Sequence, residues 1–154
     1  MMHLAELNIG RLKAPVDHPL VKEFIDNLER INALAERMPG FVWRLTGAGN
    51  NATDLHFGDD LAMAVNMSVW ETAKQLETYV FGTVHAKFYQ RRQEWFEVME
   101  RPHFVLWHVP EGHRPTLPEA AERLRHYDAH GPSDFAFGWA EAIGEERLRQ
   151  QRCA

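Results

Sequence analysis

Val65-Asn66-Met67-Ser68-Val69-Trp70-Glu71 alternates residue by residue and runs straight into Thr72 and a helical repeat. A two-residue period places Val65, Met67 and Val69 on one face of a strand and Asn66, Ser68 and Trp70 on the other. Thr72 with Gln75 forms a capping box that opens a helix, and Leu76, Tyr79 and Val80 mark its apolar side. Gly82-Thr83 breaks that helix, and Val84, Phe88, Trp95, Phe96 and Met99 continue as a second, longer segment that Pro102 stops. His85 lies four residues after Phe81 and three before Phe88, so its ring projects toward the sheet. A strand with polar groups on one face, under a helix that carries a histidine, is an arrangement that makes a ligand pocket.

Upstream, residues 3–12 read as a first strand with Leu7 and Ile9 on one face and Leu4, Glu6 and Asn8 on the other. Asp17 is placed to cap the next helix, with Pro19 in its first turn and Val21, Phe24, Ile25, Leu28, Ile31 and Leu34 at helical spacing up to Pro39-Gly40. Phe41-Val42-Trp43-Arg44-Leu45 is a short second strand, and residues 47–60, rich in Gly, Asn and Asp, are a loop. The Gly-Ala-Gly there does not precede a helix and is no phosphate-binding loop.

Downstream, residues 103–109 return as a strand, and Thr116 with Glu119 caps a third helix that runs to about His130. Phe135-Ala136-Phe137-Gly138-Trp139 reads as a short edge strand, so a single domain is expected over 1–139, with a polar tail over 140–154. The order strand, helix, strand, strand, helix, strand predicts an α+β, ferredoxin-like βαββαβ sheet with an extra C-terminal helix. The uncovered apolar face of such a sheet predicts a homodimer, in which a second copy buries it, with coverage of part of that face by the last helix as the alternative.

The chain has 154 residues, 45% of them hydrophobic and 25% charged, which is ordinary for one globular domain. A net charge of −5 argues against a nucleic-acid partner, because phosphate neutralisation needs clustered Lys and Arg. Arg91-Arg92 reads as a solvated face or a site for one anionic group. No stretch approaches transmembrane length, and the first residues lack the pattern of a secretory signal, so a cytoplasmic protein is expected. Cys153 has no partner cysteine for an internal disulfide. His103, His108 and His113 match no metal signature. The His126/His130 pair lacks an evident third ligand, so no metal site is assigned.

Ser68-Val69-Trp70-Glu71, the apolar helix after it and the histidine in that helix resemble the dimeric α/β-barrel superfamily, which includes antibiotic-biosynthesis monooxygenases and haem-degrading enzymes. More closely, residues 3–9, 33–45, 65–71, 91–96 and 102–117 resemble the family called domain of unknown function 3291, which brings no assigned reaction. The resemblance implies a homodimer and a pocket for a small organic ligand. Asn8 resembles the strand asparagine that orients substrate, and His85 the helix histidine that is the axial iron ligand in the haem-degrading branch. Tyr79 takes roughly the place of a helix tryptophan in that branch, with a different residue and a shorter interval to the histidine.

Three functions are open on this reading. The first is a cofactor-independent, monooxygenase-like enzyme acting on a planar or enolisable molecule, in which His85 moves a proton and Asn8 holds the oxyanion. The second is haem binding or degradation through His85. The third is a non-catalytic ligand-binding or stress-associated barrel, with His85 a core residue. Trp70, Tyr79, Phe88 and Trp43 are the expected aromatic substrate contacts.

Overall fold

The computed structural model describes residues 1–47 and 63–153; beyond Gly47, the predicted loop lies outside the described residues. Strands β1 (Met2–Arg11), β2 (Phe41–Arg44), β3 (Met63–Trp70) and β4 (Phe104–Pro110) form one antiparallel sheet in the order β2-β3-β1-β4. With α1 (Lys22–Arg37) after β1 and α2 (Ala73–Gly82) after β3, this is the ferredoxin-like βαββαβ arrangement predicted.

The two faces are chemically distinct. On the face under α1 and α2, Leu4, Trp70 and Leu106 pack against Ile31, Ala35, Leu76 and Tyr79. The register sets Leu4 opposite Trp70, Glu6 opposite Ser68 and Asn8 opposite Asn66. Apolar side chains therefore fill one end of this layer, and polar ones floor the rest. On the other face Leu7, Val69, Val105 and Trp107 are fully buried, and Ala120 and Leu124 of α4 (Leu117–His130) belong to the same core. The chain thus buries this apolar face by itself. Burial of this face does not require a second copy, so the expectation of a homodimer is left to the family resemblance.

Four local readings change. His18, not Asp17, caps the start of the first helical segment: its Nδ1 accepts from the Leu20 amide at 3.0 Å, over a 3-10 turn at Pro19–Val21. The segment after Gly82-Thr83 is only α3 (His85–Gln90) and a 3-10 turn at Arg92–Glu94. Residues 95–97 instead bond to the end of β1, through Lys13 N to Trp95 O and Glu97 N to Arg11 O, both at 2.9 Å, and a helix cannot share those groups.

The expected edge strand over 135–139 shrinks to one bridge, Leu106 with Phe137, before α5 (Trp139–Ile143) begins. The polar tail is also ordered. In α6 (Glu145–Cys153), Arg147 Nε and Gln151 Nε2 both donate to Glu77 Oε1, at 2.6 and 2.5 Å, and Leu148 packs on the core. Glu77 is buried, and removing its partners would leave a carboxylate desolvated.

Gly40 joins α1 to β2 at φ +87°, and its carbonyl accepts the Glu71 amide at 2.8 Å. A Cβ there would lie 2.2 Å from the Gln75 side chain. Gly40→Ala is expected to cost about 1–3 kcal/mol from backbone strain. Urea unfolding checks this, and an unchanged midpoint would show that the turn relaxes.

Candidate functional site

A cavity of about 290 Å³ lies between the sheet and helices α1 to α3, and a smaller one of about 120 Å³ adjoins it. Asn8, Asn32, Asn66, Tyr79 and His85 line both, so the two are outer and inner compartments of one chamber. The total is near the lower end of ligand-pocket sizes, suited to one or two fused rings.

The floor comes from strand alternation. Asn8 and Asn66 are direct cross-strand partners, both exposed, and present two carboxamides side by side to the chamber. Asn32, on the inward side of α1, adds a third and is 8% exposed. Arg44 enters from β2, with its Nε on Glu36 Oε1 at 2.7 Å.

The outer compartment is walled by rings. Phe24 lies edge-on to Phe96 at 4.9 Å and tilted to Trp95 at 5.5 Å, and Phe88 stacks on Trp95 at 5.8 Å. Gly10 lets this wall come close, since a Cβ there would meet the Phe96 ring at 2.6 Å. At its rim the Arg92 guanidinium lies 4.3 Å from the centre of the Tyr89 ring, and burial together with the charge of Arg92 lowers the pKa of His103.

His85 owes its setting to the broken helix. Thr83 Oγ1 donates to Tyr79 O at 2.7 Å and accepts from the His85 amide at 3.2 Å. The His85 Nδ1 lies 3.1 Å from Val80 O. A carbonyl only accepts, so Nδ1 carries the proton and Nε2 is left with its lone pair. Burial lowers the His85 pKa, and the bond to Val80 opposes this in part, so the ring is neutral near pH 7.

The inner compartment holds a chain of bonds between strands. Trp70 Nε1 donates to Ser68 Oγ at 2.9 Å, and Ser68 donates to Glu6 Oε1 at 2.7 Å. Glu6 is 5% exposed, and burial raises its pKa to about 8 against the pull of Ser68, so at neutral pH its carboxyl is mostly protonated. Tyr79 stacks on Trp70 at 5.3 Å, approaches His85 at 4.9 Å and donates to Ile31 O at 3.2 Å. Burial foremost, then the Glu6 carboxylate, pushes the Tyr79 pKa above the ordinary phenol range, although Arg44 opposes them.

Of the residues singled out from sequence, Asn8, His85, Tyr79, Phe88 and Trp70 all line the chamber, the last only its inner part. Trp43 does not. A register shift between Phe41 and Trp43 turns them to opposite faces, and Trp43 packs on the α4 side of the sheet. Glu6, Asn32, Asn66 and Arg44 were not singled out, although the alternation of the strands already placed Glu6 beside Asn8 and Asn66 beside Ser68.

His126 and His130 have rings 4.6 Å apart, and among the described residues no group of three or more His, Cys, Asp or Glu could hold a metal ion. No described helix is long and apolar enough to cross a membrane. The tyrosine in place of the haem-branch tryptophan is held against Trp70 and Ile31.

None of the curated proteins matches the chain in sequence. Among solved structures, it is similar to the NE2512 protein of unknown function from Nitrosomonas europaea, at 14% identity and a TM-score of 0.52 over 75% of this chain and 97% of that one. This likeness agrees with the ferredoxin-like fold. Weaker likenesses, each covering most of the other chain, are to PA3566 from Pseudomonas aeruginosa and to a Nitrosomonas europaea protein named for the antibiotic biosynthesis monooxygenases. The former has 14% identity and a TM-score of 0.47 over 71% of this chain and 93% of that one. The latter has 15% identity and a TM-score of 0.44 over 70% and 86%. Sequence agrees over nearly the whole length, the tail included: residues 3–153 match the family described as Domain of unknown function (DUF3291), and the chain belongs to it.

Proposed function

We propose that this chain is a small enzyme of monooxygenase-like type, acting without a resident cofactor on a planar or enolisable organic molecule held in the chamber. The observation that carries this reading is the His85 tautomer. With Nδ1–H given to Val80 O, Nε2 is a neutral base on the wall of a ring-lined cavity. In the proposed step Nε2 takes the proton of a phenol or of an acidic C–H. The Asn8 and Asn66 amides donate to the oxygen on which charge develops. The electron-rich anion then reduces dioxygen. One oxygen atom joins carbon, and the other leaves as water with two substrate hydrogens, as in phenol plus O₂ giving quinone plus H₂O.

Oxygen uptake with a panel of naphthols and tetralones tests this. The wild type should consume O₂ with at least one of them, and His85→Ala should lower kcat by about 100-fold or more. The kcat/KM profile should fall on the acid side of a pKa below the ordinary histidine value, because only the neutral ring accepts a proton. Full turnover by a folded His85→Ala protein would overturn the role of His85, and no uptake with any compound would overturn the oxygenase reading.

A further inference from the structure

Two side chains in the inner compartment are more than nine-tenths buried and hold polar atoms without a partner. Asn32 makes no hydrogen bond among the described residues, and Glu6 makes one, through Oε1. These atoms open onto the cavity rather than being sealed in the protein, so a partner for them comes from the cavity.

The direction of the bonds around Glu6 says what that partner is. Ser68 Oγ accepts from the indole N–H of Trp70 and donates its own proton to Glu6 Oε1. Oε1 is therefore the acceptor oxygen of the carboxyl, and a proton on Glu6 sits on Oε2, the oxygen without a partner. Burial, which raises the pKa to about 8, keeps that proton in place at neutral pH. The result is a neutral O–H donor with no acceptor in the described protein, in a compartment that Asn32 also lines. We propose that Glu6 is a ligand-binding acid, whose neutral carboxyl donates from Oε2 to a carbonyl-type oxygen on a planar ligand, with Asn32 as the second polar contact in the inner compartment.

This rests on the chamber being a site for ring compounds, and it adds the class: a ring bearing an acceptor oxygen at the end that enters first. Facing Glu6 across the compartment are Arg44 from β2, Tyr79 from α2, His85 and Tyr89 from α3, His103 before β4 and Arg152 from α6. His85 and His103 are held below the ordinary histidine range and Tyr79 above the phenol range, so those three do not titrate near pH 8.

The test is equilibrium dialysis of the full chain, from about pH 6 to about pH 9.5, against chromone, a planar bicyclic ketone, and naphthalene, a ring pair of similar outline without oxygen. Chromone affinity should fall about tenfold as pH rises through about 8, while naphthalene affinity stays level. Glu6→Gln, whose Oε1 still accepts from Ser68 and whose Nε2 still donates, should bind chromone at every pH. Glu6→Met should lose about tenfold in chromone affinity at pH 6.5 and leave naphthalene unchanged. A wild-type chromone curve independent of pH overturns the inference even if a variant fails to fold, as does an equal loss of both ligands in Glu6→Met. If neither compound binds at any pH, the chamber is not a site for ring compounds, and the function proposed above falls too.

Discussion

Trp70→Ala should lower the unfolding free energy by about 4 kcal/mol, which for a domain of this size lowers Tm by about 8–16 °C. The side chain is fully buried and meets Phe41 edge-on at 5.5 Å and Tyr79 face-on at 5.3 Å. Alanine removes the apolar contact, leaves a void between α2 and the sheet, and takes away the donor that orients Ser68. Trp70→Phe separates these effects. It keeps most of the ring and loses only the N–H, so about 1–2 kcal/mol is expected. Urea unfolding monitored by circular dichroism measures both, and an alanine variant within about 1 kcal/mol of wild type would contradict this packing.

Stability should also fall as pH rises from about 7 through 8, by up to about 1.4 kcal/mol per pH unit, and level off about one unit above that. The sign follows from Glu6. Its folded pKa of about 8 lies above the ordinary 4.5, so the folded chain holds one proton more than the unfolded chain between those values. Stability from this group is complete below the lower value and is lost as pH rises through the higher. His85 and His103 act oppositely, because their folded pKa values are lowered, and their effect dies away over about one pH unit above the ordinary 6.5, which leaves the window around pH 8 to Glu6. Glu6→Gln should flatten the curve there. A wild-type curve that is already flat from about pH 6.5 to 9 would show that Glu6 is ionised in the fold.

The βαββαβ order was legible because each core element carries its own period: Val65, Met67 and Val69 at every second position, and Phe24, Leu28 and Ile31 at helical spacing. The polar floor was half legible for the same reason, since alternation puts Glu6 with Asn8 and Asn66 with Ser68. The meeting of those pairs was not. The bond from Ser68 to Glu6 spans 62 residues of sequence, and nothing local marks that register. Trp43 misleads because one extra residue in β2 inverts the alternation. α6 reads as a polar tail, since no apolar stripe announces a helix that docks through an ion pair to a buried carboxylate.

The interruption of the helix at Thr83 also sets the acid–base character of the chamber. In an unbroken helix the Val80 carbonyl would be taken by a backbone amide one turn on. Here the break releases it, and the His85 ring occupies it. Which nitrogen of His85 is basic is therefore decided by main-chain geometry outside the chamber. A substitution at Gly82 or Thr83 that heals the helix would move the proton between the ring nitrogens without altering one group that a ligand touches. Reactivity and recognition are thus separately adjustable in this chain, the first from the helix junction and the second from the floor of the sheet.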